Sequence, residues 1–297
     1  MLCWCGLLAA ALALPALPWR WLSSVGSSGR ICEAGGACSW QRIDIYARPV
    51  SPEDRQLRES CALKATSARI EELKAAGRRP VGLYIGTNDL TDGDIQALTT
   101  LPFAALRTIL VEPQAAVLPK LRERAAAAGL GDAEVINAAV CPNSTGDFVM
   151  YGFSQRLIDD FPGAATANLS HLTSLKSTWA AKQARRARRL KDYGMGDLTV
   201  KQLLSYVEEM RVRCVTPYDL LRELGAQAQD VAILIVDAEG YDPVLIRLFL
   251  ELEGFRPSYL QFEGGLFPTL RLMQALANSG YDIHQHRHDF VALPSVA

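Results

Sequence analysis

From Val81 onward, short aliphatic runs alternate with longer stretches whose apolar residues recur every three or four positions. Each run has the length of a strand and is apolar throughout, which is typical of strands buried on both faces of a parallel sheet. The alternation predicts an α/β fold with helices on both faces of a mostly parallel sheet. The runs are VGLYIG (81–86), TILVEP (108–113), AEVINAAV (133–140), VAILIVD (231–237) and SYLQFE (258–263).

The last part of the chain has a different pattern. YDIHQHRHDFVAL (281–293) predicts two strands with a turn around Arg287 to Asp289, which close the sheet edge as an antiparallel hairpin. The stretches between the aliphatic runs predict helices, and most of them end at glycine. They are DGDIQALTTL (92–101), AAVLPKLRERAAAAGL (115–130), TPYDLLRELG (216–225), DPVLIRLFLELEG (242–254) and LFPTLRLMQALANSG (266–280).

Ahead of the sheet, residues 51–80 carry helix start signals at Ser51 and Pro52 and a stop signal at Gly77, which predict a helix in one piece or two. We therefore expect a leader and linker at 1–30, an N-terminal helical extension at 31–80 and the main domain at 81–297. Residues 151–213 are too long for an ordinary connection, so we expect an insertion over the working edge of the sheet.

The first residues, MLCWCGLLAAALALPALP, are apolar and uncharged, and small residues follow. This pattern indicates a secretory signal peptide or a membrane anchor, and an organelle-targeting leader or a buried helix are the alternatives. Pro15 and Pro18 make it a poor spanning helix. We expect the protein in the secretory lumen, secreted or tethered to a membrane. Sequons at Asn143 and Asn168 agree with luminal exposure.

The cysteines leave two interpretations open. CEAGGAC (32–38) could close a small disulfide loop or hold two free thiols, and its spacing does not fit a zinc site. Cys61, Cys141 and Cys214 are the other cysteines beyond the leader, which makes an odd number.

Charge gives no argument for a nucleic-acid partner, because 31 basic residues nearly balance 32 acidic ones. Residues 176–191 are basic and contain no acid, which fits a solvated helix face better than an anion site. His284, His286 and His288 would share one face of a strand, and we interpret them as edge or turn residues rather than as metal ligands.

Candidate chemistry follows the strands, since ligands of open parallel sheets bind outside the carboxyl ends of the strands. Gly86 and Asn88 follow the first strand, and the glycine allows a sharp turn close to a ligand. Glu112 ends the second strand, where a carboxylate can accept the hydroxyls of a ribose, or else act as a helix N-terminal acid. Asp237 and Glu239 follow the fourth strand as candidate ligand-facing acids, with helix capping as the alternative.

Glu263 ends the fifth strand and is another crevice candidate. Its alternative role is to bind backbone amides of the Gly264–Gly265 loop. Asp242 and Pro243 predict the cap and the first-turn proline of the helix at 242–254, which leaves Asp237 and Glu239 less explained by capping.

These segments together resemble the FkbM family of S-adenosylmethionine (SAM) methyltransferases, from about Val81 to the C-terminal hairpin. YIGTN stands in the place of the family's Asp-Ile-Gly-Ala-Asn turn, and ILVEP matches its Glu-Pro at the second strand. VINAAV precedes the glycine-containing STGDFVMY, and VTPYDLL leads into ILIVDAEGYD, which is similar to the family's Lys-Ile-Asp-Val-Glu-Gly-Ala/Tyr-Glu block. The resemblance implies a Rossmann-like methyltransferase sheet.

The resemblance also implies roles for individual residues. Tyr84, Gly86 and Asn88 would lie at the methionine and ribose part of SAM. Glu112 would hold the ribose hydroxyls, and Asn137 would approach the adenine.

By the same resemblance, Asp237 and Glu239 would face the methyl group and the acceptor, which is expected to be a hydroxyl of a sugar or other small metabolite. Three positions depart from the family: Tyr84 replaces its first acid, Leu90 its second turn glycine and Ile235 the lysine before the paired acids. The alternative function is therefore a secreted or tethered binding module that kept the fold and lost catalysis.

Overall fold

A computed structural model describes residues 31–32, 38–39, 52–90, 98, 101–143, 146–162, 173–174, 198–238, 240–263, 269–286 and 289–295. The predicted leader (1–30), almost all of the predicted helix at 92–101 and the basic stretch at 176–191 lie outside these residues. Glu239 and His288 do so too.

A seven-stranded sheet forms the centre of the protein. Numbered along the chain within this sheet, its strands are ordered 3-2-1-4-5-7-6. The first five strands pair in parallel, and the seventh is antiparallel to both of its neighbours, the fifth and the sixth. The prediction of a mostly parallel Rossmann-like sheet with an antiparallel C-terminal hairpin is confirmed. The seven strands are β3 (Val81–Ile85), β4 (Arg107–Val111), β5 (Glu134–Ile136), β10 (Val231–Val236), β11 (Tyr259–Glu263), β12 (Tyr281–His286) and β13 (Asp289–Pro294).

The other strands lie outside the central sheet. β1 (Ile31–Cys32) and β2 (Cys38–Ser39) form a short antiparallel pair in which Cys32 lies opposite Cys38. A second sheet has the order β6-β9-β7-β8 and consists of β6 (Ala139–Val140), β7 (Gly146–Phe153), β8 (Thr173–Ser174) and β9 (Val207–Val215).

Helices precede, connect and follow these strands. The helix predicted at residues 51–80 is one continuous helix of 24 residues rather than two pieces. Among the described residues, no helix is both long enough and apolar enough to cross a membrane. The helices are α1 (Pro52–Ala75), α2 (Leu118–Ala127), α3 (Gln155–Asp160), α4 (Val200–Leu204), α5 (Pro217–Glu223), α6 (Asp242–Leu250) and α7 (Thr269–Asn278), with 3-10 turns at Phe103–Ala105, Ala115–Val117 and Ala228–Asp230.

Helices cover both faces of the central sheet, as the aliphatic strands predicted. On one face, Leu83 and Ile85 pack with buried residues of α5, α6 and α7. On the other face, Tyr84 and Ile235 pack with residues of α1 and α2 and with the 3-10 turn at Phe103–Ala105. Because side chains alternate along a strand, each strand contributes to both halves of the core.

The second sheet begins where β5 ends. The predicted strand at 133–140 is interrupted at Asn137 and Ala138, after which β6 pairs with the far end of β9. β7 and β9 form a long antiparallel ribbon, and β8 pairs with β7. The chain therefore leaves the central sheet at the carboxyl end of β5 and returns through β9 into α5, with residues 151–213 between these points.

Candidate active site

The strand order reverses between β3 and β10, and the carboxyl ends of these two strands are in direct contact. Gly86 follows β3 with a φ of +80°, and a Cβ atom at this position would lie 1.8 Å from the carbonyl oxygen of Asp237. The amide of Asp237 donates to the carbonyl of Ile85 at 2.9 Å. Gly86 is therefore required by the approach of a neighbouring strand, in addition to the turn that the sequence predicted.

The turn that follows Gly86 has a backbone conformation that is unusual for its residues. Asn88 and Leu90 have φ values of 50° and 54°, in the left-handed region that disfavours most side chains. The amide side chain of Asn88 stabilises this conformation by accepting from the amide of Asp89 at 2.8 Å. Leu90 thus keeps the conformation of a glycine although its own side chain is fully buried.

Helix α2 holds this turn through two basic residues. Arg124 donates to the carbonyl of Leu90 at 2.9 Å and pairs with the carboxylate of Asp89 at 3.0 Å. Lys120 pairs with the other oxygen of the same carboxylate at 2.6 Å. These contacts offset the strain at Leu90. No sequence pattern predicts them, because Asp89 belongs to no recognisable motif.

Glu112 lies directly after β4 and joins two backbone segments of the crevice. Its carboxylate accepts from the amide of Asn88 at 2.7 Å and from the amide of Gln114 at 2.8 Å. Burial raises the pKa of the Glu112 carboxyl to about 7, and the hydrogen bonds from Gln114 and Asn88 partly oppose this rise. Gln114 is the N-cap of the 3-10 turn at Ala115–Val117. Glu112 therefore binds both the start of this 3-10 turn and the turn that follows β3.

Asn137 lies at the end of the third strand and extends this network. Its side-chain amide donates to the carbonyls of Glu112 and Pro113, each at 2.9 Å. Asn88, Glu112 and Asn137 are therefore connected across the ends of three adjacent strands, β3, β4 and β5. The sequence predicted all three as cofactor residues, and the structure brings them together.

Tyr84 has a different environment from the other predicted cofactor residues. It is 3% exposed and lies within β3, where it pairs in register with Leu110 of β4 and Ile235 of β10. Its ring belongs to the apolar core on the α1 and α2 side of the sheet. Tyr84 therefore packs in the core directly before the turn at Gly86. In the FkbM family that the chain resembles, this position holds an acid.

The ends of β10 and β11 supply the acids on the other side of the reversal. Asp237 and Glu263 are both half-buried and end these adjacent parallel strands. Glu239 lies outside the described residues. Asp237 and Glu263 thus lie at the same edge of the sheet as Glu112, on the other side of the β3–β10 junction.

Asp242 was predicted to cap the helix that follows β10. This prediction was wrong, because Asp242 lies inside the helix and its side chain does not cap it. The N-cap of α6 is Tyr241, without a side-chain hydrogen bond, and Asp242 is the first helical residue. Its carboxylate is directed away from the helix toward the amides of Ala238, Gly240 and Glu263. Burial raises the pKa of Asp242 to about 7, and the negative charge of Glu263 adds to the rise.

A disulfide joins Cys141, which follows β6, to Cys214 of the neighbouring strand β9, with the Cα atoms 5.9 Å apart. Both residues are fully buried. No local sequence pattern indicates this pair, because the two cysteines are 73 positions apart. For Cys32 and Cys38, which lie opposite each other across β1 and β2, the alternatives of a disulfide and of two free thiols both stay open.

Metal ligands were not expected at this site. In the parts of the chain that the structure describes, no group of three or more histidine, cysteine, aspartate or glutamate residues could hold a metal ion. His284 and His286 lie in β12 opposite Val291 and Asp289 of β13.

No family model matches the chain, and no curated protein matches it. Among solved structures, a precorrin-6y C5,15-methyltransferase from Geobacter metallireducens GS-15 is similar to this chain, with 10% sequence identity and a TM-score of 0.33. The similarity covers 77% of this chain and 86% of that chain. At this level it identifies neither a reaction nor a ligand for the chain, so both must be argued from the site.

Proposed function

We propose that the protein is a SAM-dependent methyltransferase of the FkbM type that transfers a methyl group to a hydroxyl of a sugar or other small metabolite. The observation that carries the proposal is the position of Glu112. Its carboxylate lies beside the reversal of strand order and is bound by the amides of Asn88 and Gln114. Ligands of open α/β sheets bind at this point, and a carboxylate after the second strand can accept ribose hydroxyls.

The residues present fit a nucleoside cofactor. The turn at 86–90 keeps its left-handed backbone conformation at Leu90 in the absence of a glycine, and strained backbone is concentrated at ligand-binding sites. Carboxylate oxygens accept several hydrogen bonds each, so Glu112 can accept from hydroxyls as well as from the backbone. Gly86, Asn88 and Glu112 would hold the ribose and methionine part, Asn137 would lie toward the base, and Tyr84 would support the turn.

Bound SAM would supply an electrophilic methyl group with a good leaving group. The protein then has to align the acceptor oxygen with the methyl carbon and help to remove the hydroxyl proton. Asp237 is the candidate for both tasks, because it ends β10 directly across from Gly86. Glu239 is the second candidate by its place in the sequence. The insertion at 151–213 is the candidate for acceptor selection.

We also propose that the protein works in an oxidising compartment, secreted, luminal or tethered through its N-terminal apolar segment. The fully buried disulfide between Cys141 and Cys214 supports this proposal, because such bonds persist mainly outside the reducing cytosol. A glycan or other secreted metabolite would be a suitable acceptor there.

Calorimetric titration of the full chain with S-adenosylhomocysteine tests the cofactor proposal. Glu112→Gln should weaken binding about tenfold to one hundredfold, because hydrogen bonds to a charged group contribute roughly 1.5–3 kcal/mol. Glu134→Gln is the matched control: Glu134 begins β5 at the opposite edge of the sheet and pairs with Arg107. We expect it to leave the affinity unchanged.

Two outcomes would contradict the proposal. Equal affinity in wild type and Glu112→Gln would remove Glu112 from the site. No binding by folded wild-type protein would favour the alternative of a methyltransferase-like binding module that lost its cofactor.

A further inference from the structure

Asp242 makes contacts that neither its helix nor the proposed cofactor site explains. Its side chain is fully buried. One carboxylate oxygen accepts from the amide of Gly240 at 3.1 Å, and the other accepts from the amides of Glu263 at 3.1 Å and Ala238 at 3.5 Å. A single carboxylate therefore binds the loop after β10 and the last residue of β11.

A comparison with another first-turn acid separates this arrangement from ordinary helix stabilisation. Asp219 in α5 accepts from the hydroxyl of Thr216, the N-cap residue of the same helix, and pairs with Arg222 one turn later. Asp219 thus stabilises its own helix. Asp242 instead binds amides that precede α6 or belong to another strand 21 residues away in sequence.

The loop after β10 is held on two sides. On the β3 side, the amide of Asp237 donates to Ile85, and the carbonyl of Asp237 lies against Gly86. On the α6 side, Asp242 binds the two amides at 238 and 240. Because Asp242 also binds the amide of Glu263, the positions of Asp237 and Glu263 depend on the same buried group.

We propose that Asp242 is a positioning residue that fixes Asp237 and Glu263 relative to each other at the crevice. The geometry alone supports the positioning, whereas its consequence for a ligand rests on the proposed methyltransferase function. An ionised carboxylate has only acceptors and can satisfy all three amides. Asparagine has the same size but presents an NH2 group to at least one of these donors, so it cannot reproduce the arrangement.

Amide resonances of the full chain at pH 8.5 provide the test, with Asp242→Asn and the matched variant Asp219→Asn. Amide protons that bind a carboxylate resonate downfield, since the negative charge of the acceptor strengthens the hydrogen bond. We expect Asp242→Asn to move the amides of Gly240 and Glu263 upfield together, and Asp219→Asn to move neither. A helix-stabilising role would not move Glu263, so an unchanged Glu263 amide in Asp242→Asn overturns the proposal.

A second measurement needs only the wild type and covers the case in which Asp242→Asn fails to fold. The amides of Gly240 and Glu263 should shift with one common midpoint as the pH is raised from 5 to 9. The carboxylate of Glu263 also faces Asp242 and can shift its own amide, so the amide of Gly240 is the informative one. A Gly240 amide that does not respond over this pH range would count against the proposal.

Titration with S-adenosylhomocysteine measures the consequence for a ligand. We expect affinity to fall about tenfold in Asp242→Asn, because the binding-competent loop becomes a minor population, and to stay unchanged in Asp219→Asn. Equal affinity in both variants would overturn this consequence. If the amides respond but wild type does not bind, the positioning role is supported and the proposed methyltransferase function is overturned.

Discussion

The disulfide between Cys141 and Cys214 allows a quantitative prediction about stability. It closes a loop that spans 73 residues. In the chain-entropy description, a cross-link over a loop of this length stabilises the fold by about 4 kcal/mol, because it restricts the unfolded chain. Domains are stable by only about 5–15 kcal/mol, so we expect opening this bond to remove a large part of the free energy of unfolding.

Urea unfolding followed by circular dichroism measures the effect. With a slope near 3 kcal/mol per molar urea, opening the bond should lower the midpoint by about 1 M or more. Two arms are needed: wild type with reductant, and the double variant Cys141→Ala, Cys214→Ala without it. The variant also removes two buried sulfur atoms, at roughly 1 kcal/mol each, whereas reductant opens the bond without deleting atoms.

The double variant also serves as the control for other cysteines. Any remaining response of this variant to reductant belongs to other bonds, such as one between Cys32 and Cys38. A change below about 1 kcal/mol on opening the bond would refute the loop-entropy reasoning. Labelling of Cys141 and Cys214 by a thiol reagent in denatured, unreduced protein would refute the bond itself.

Three further predictions concern the crevice. Gly86→Ala should destabilise the fold by more than about 3 kcal/mol or prevent folding, since the new Cβ overlaps a carbonyl oxygen. Gly129→Ala is the control: its φ is +79° and no atom lies within 4 Å of the new Cβ, so it should cost only about 1 kcal/mol. Equal urea midpoints for the two variants would contradict this. Leu90→Gly removes left-handed strain of about 1 kcal/mol but also a fully buried side chain, so we expect a net loss of about 3 kcal/mol, and a raised midpoint would argue against it. Because the folded pKa values of Glu112 and Asp242 are raised to about 7, their contribution to stability is fully present below pH 4 and is lost as the pH rises through 7. The difference in unfolding free energy between wild type and Glu112→Gln should therefore shift against wild type from pH 4 to 8, and an opposite trend would show that Glu112 folds ionised.

The fold was largely predictable because its strands are aliphatic on both faces. β3, β4, β10 and β11 lie within one or two residues of the runs that predicted them. The run at 133–140 was predicted as one strand but forms β5 and β6, because Asn137 turns its side chain onto the end of β4 and the chain then joins β9. That change of partner depends on a strand about 70 residues away, which no local pattern contains.

The site was predictable as a set of strand ends but not as a network. Pattern and resemblance identified Asn88, Glu112 and Asn137, while the hydrogen bonds that connect them required the structure. Asp242 was assigned to helix capping because an acid followed by proline is a common helix start. The amide of Glu263, which distinguishes its role, comes from a different strand.

The disulfide also bears on how this protein can diversify. In an ordinary insertion, each doubling of length costs about 0.6 kcal/mol, because a longer segment must be closed on folding. Here the cross-link keeps the two ends of the segment together in the unfolded chain as well, with Cα atoms 5.9 Å apart in the fold. Additions in the connections of this segment, outside its strands and their buried side chains, should therefore cost little loop-closure entropy. Evolution, or an engineer, could lengthen these connections while the central sheet and its crevice stay the same.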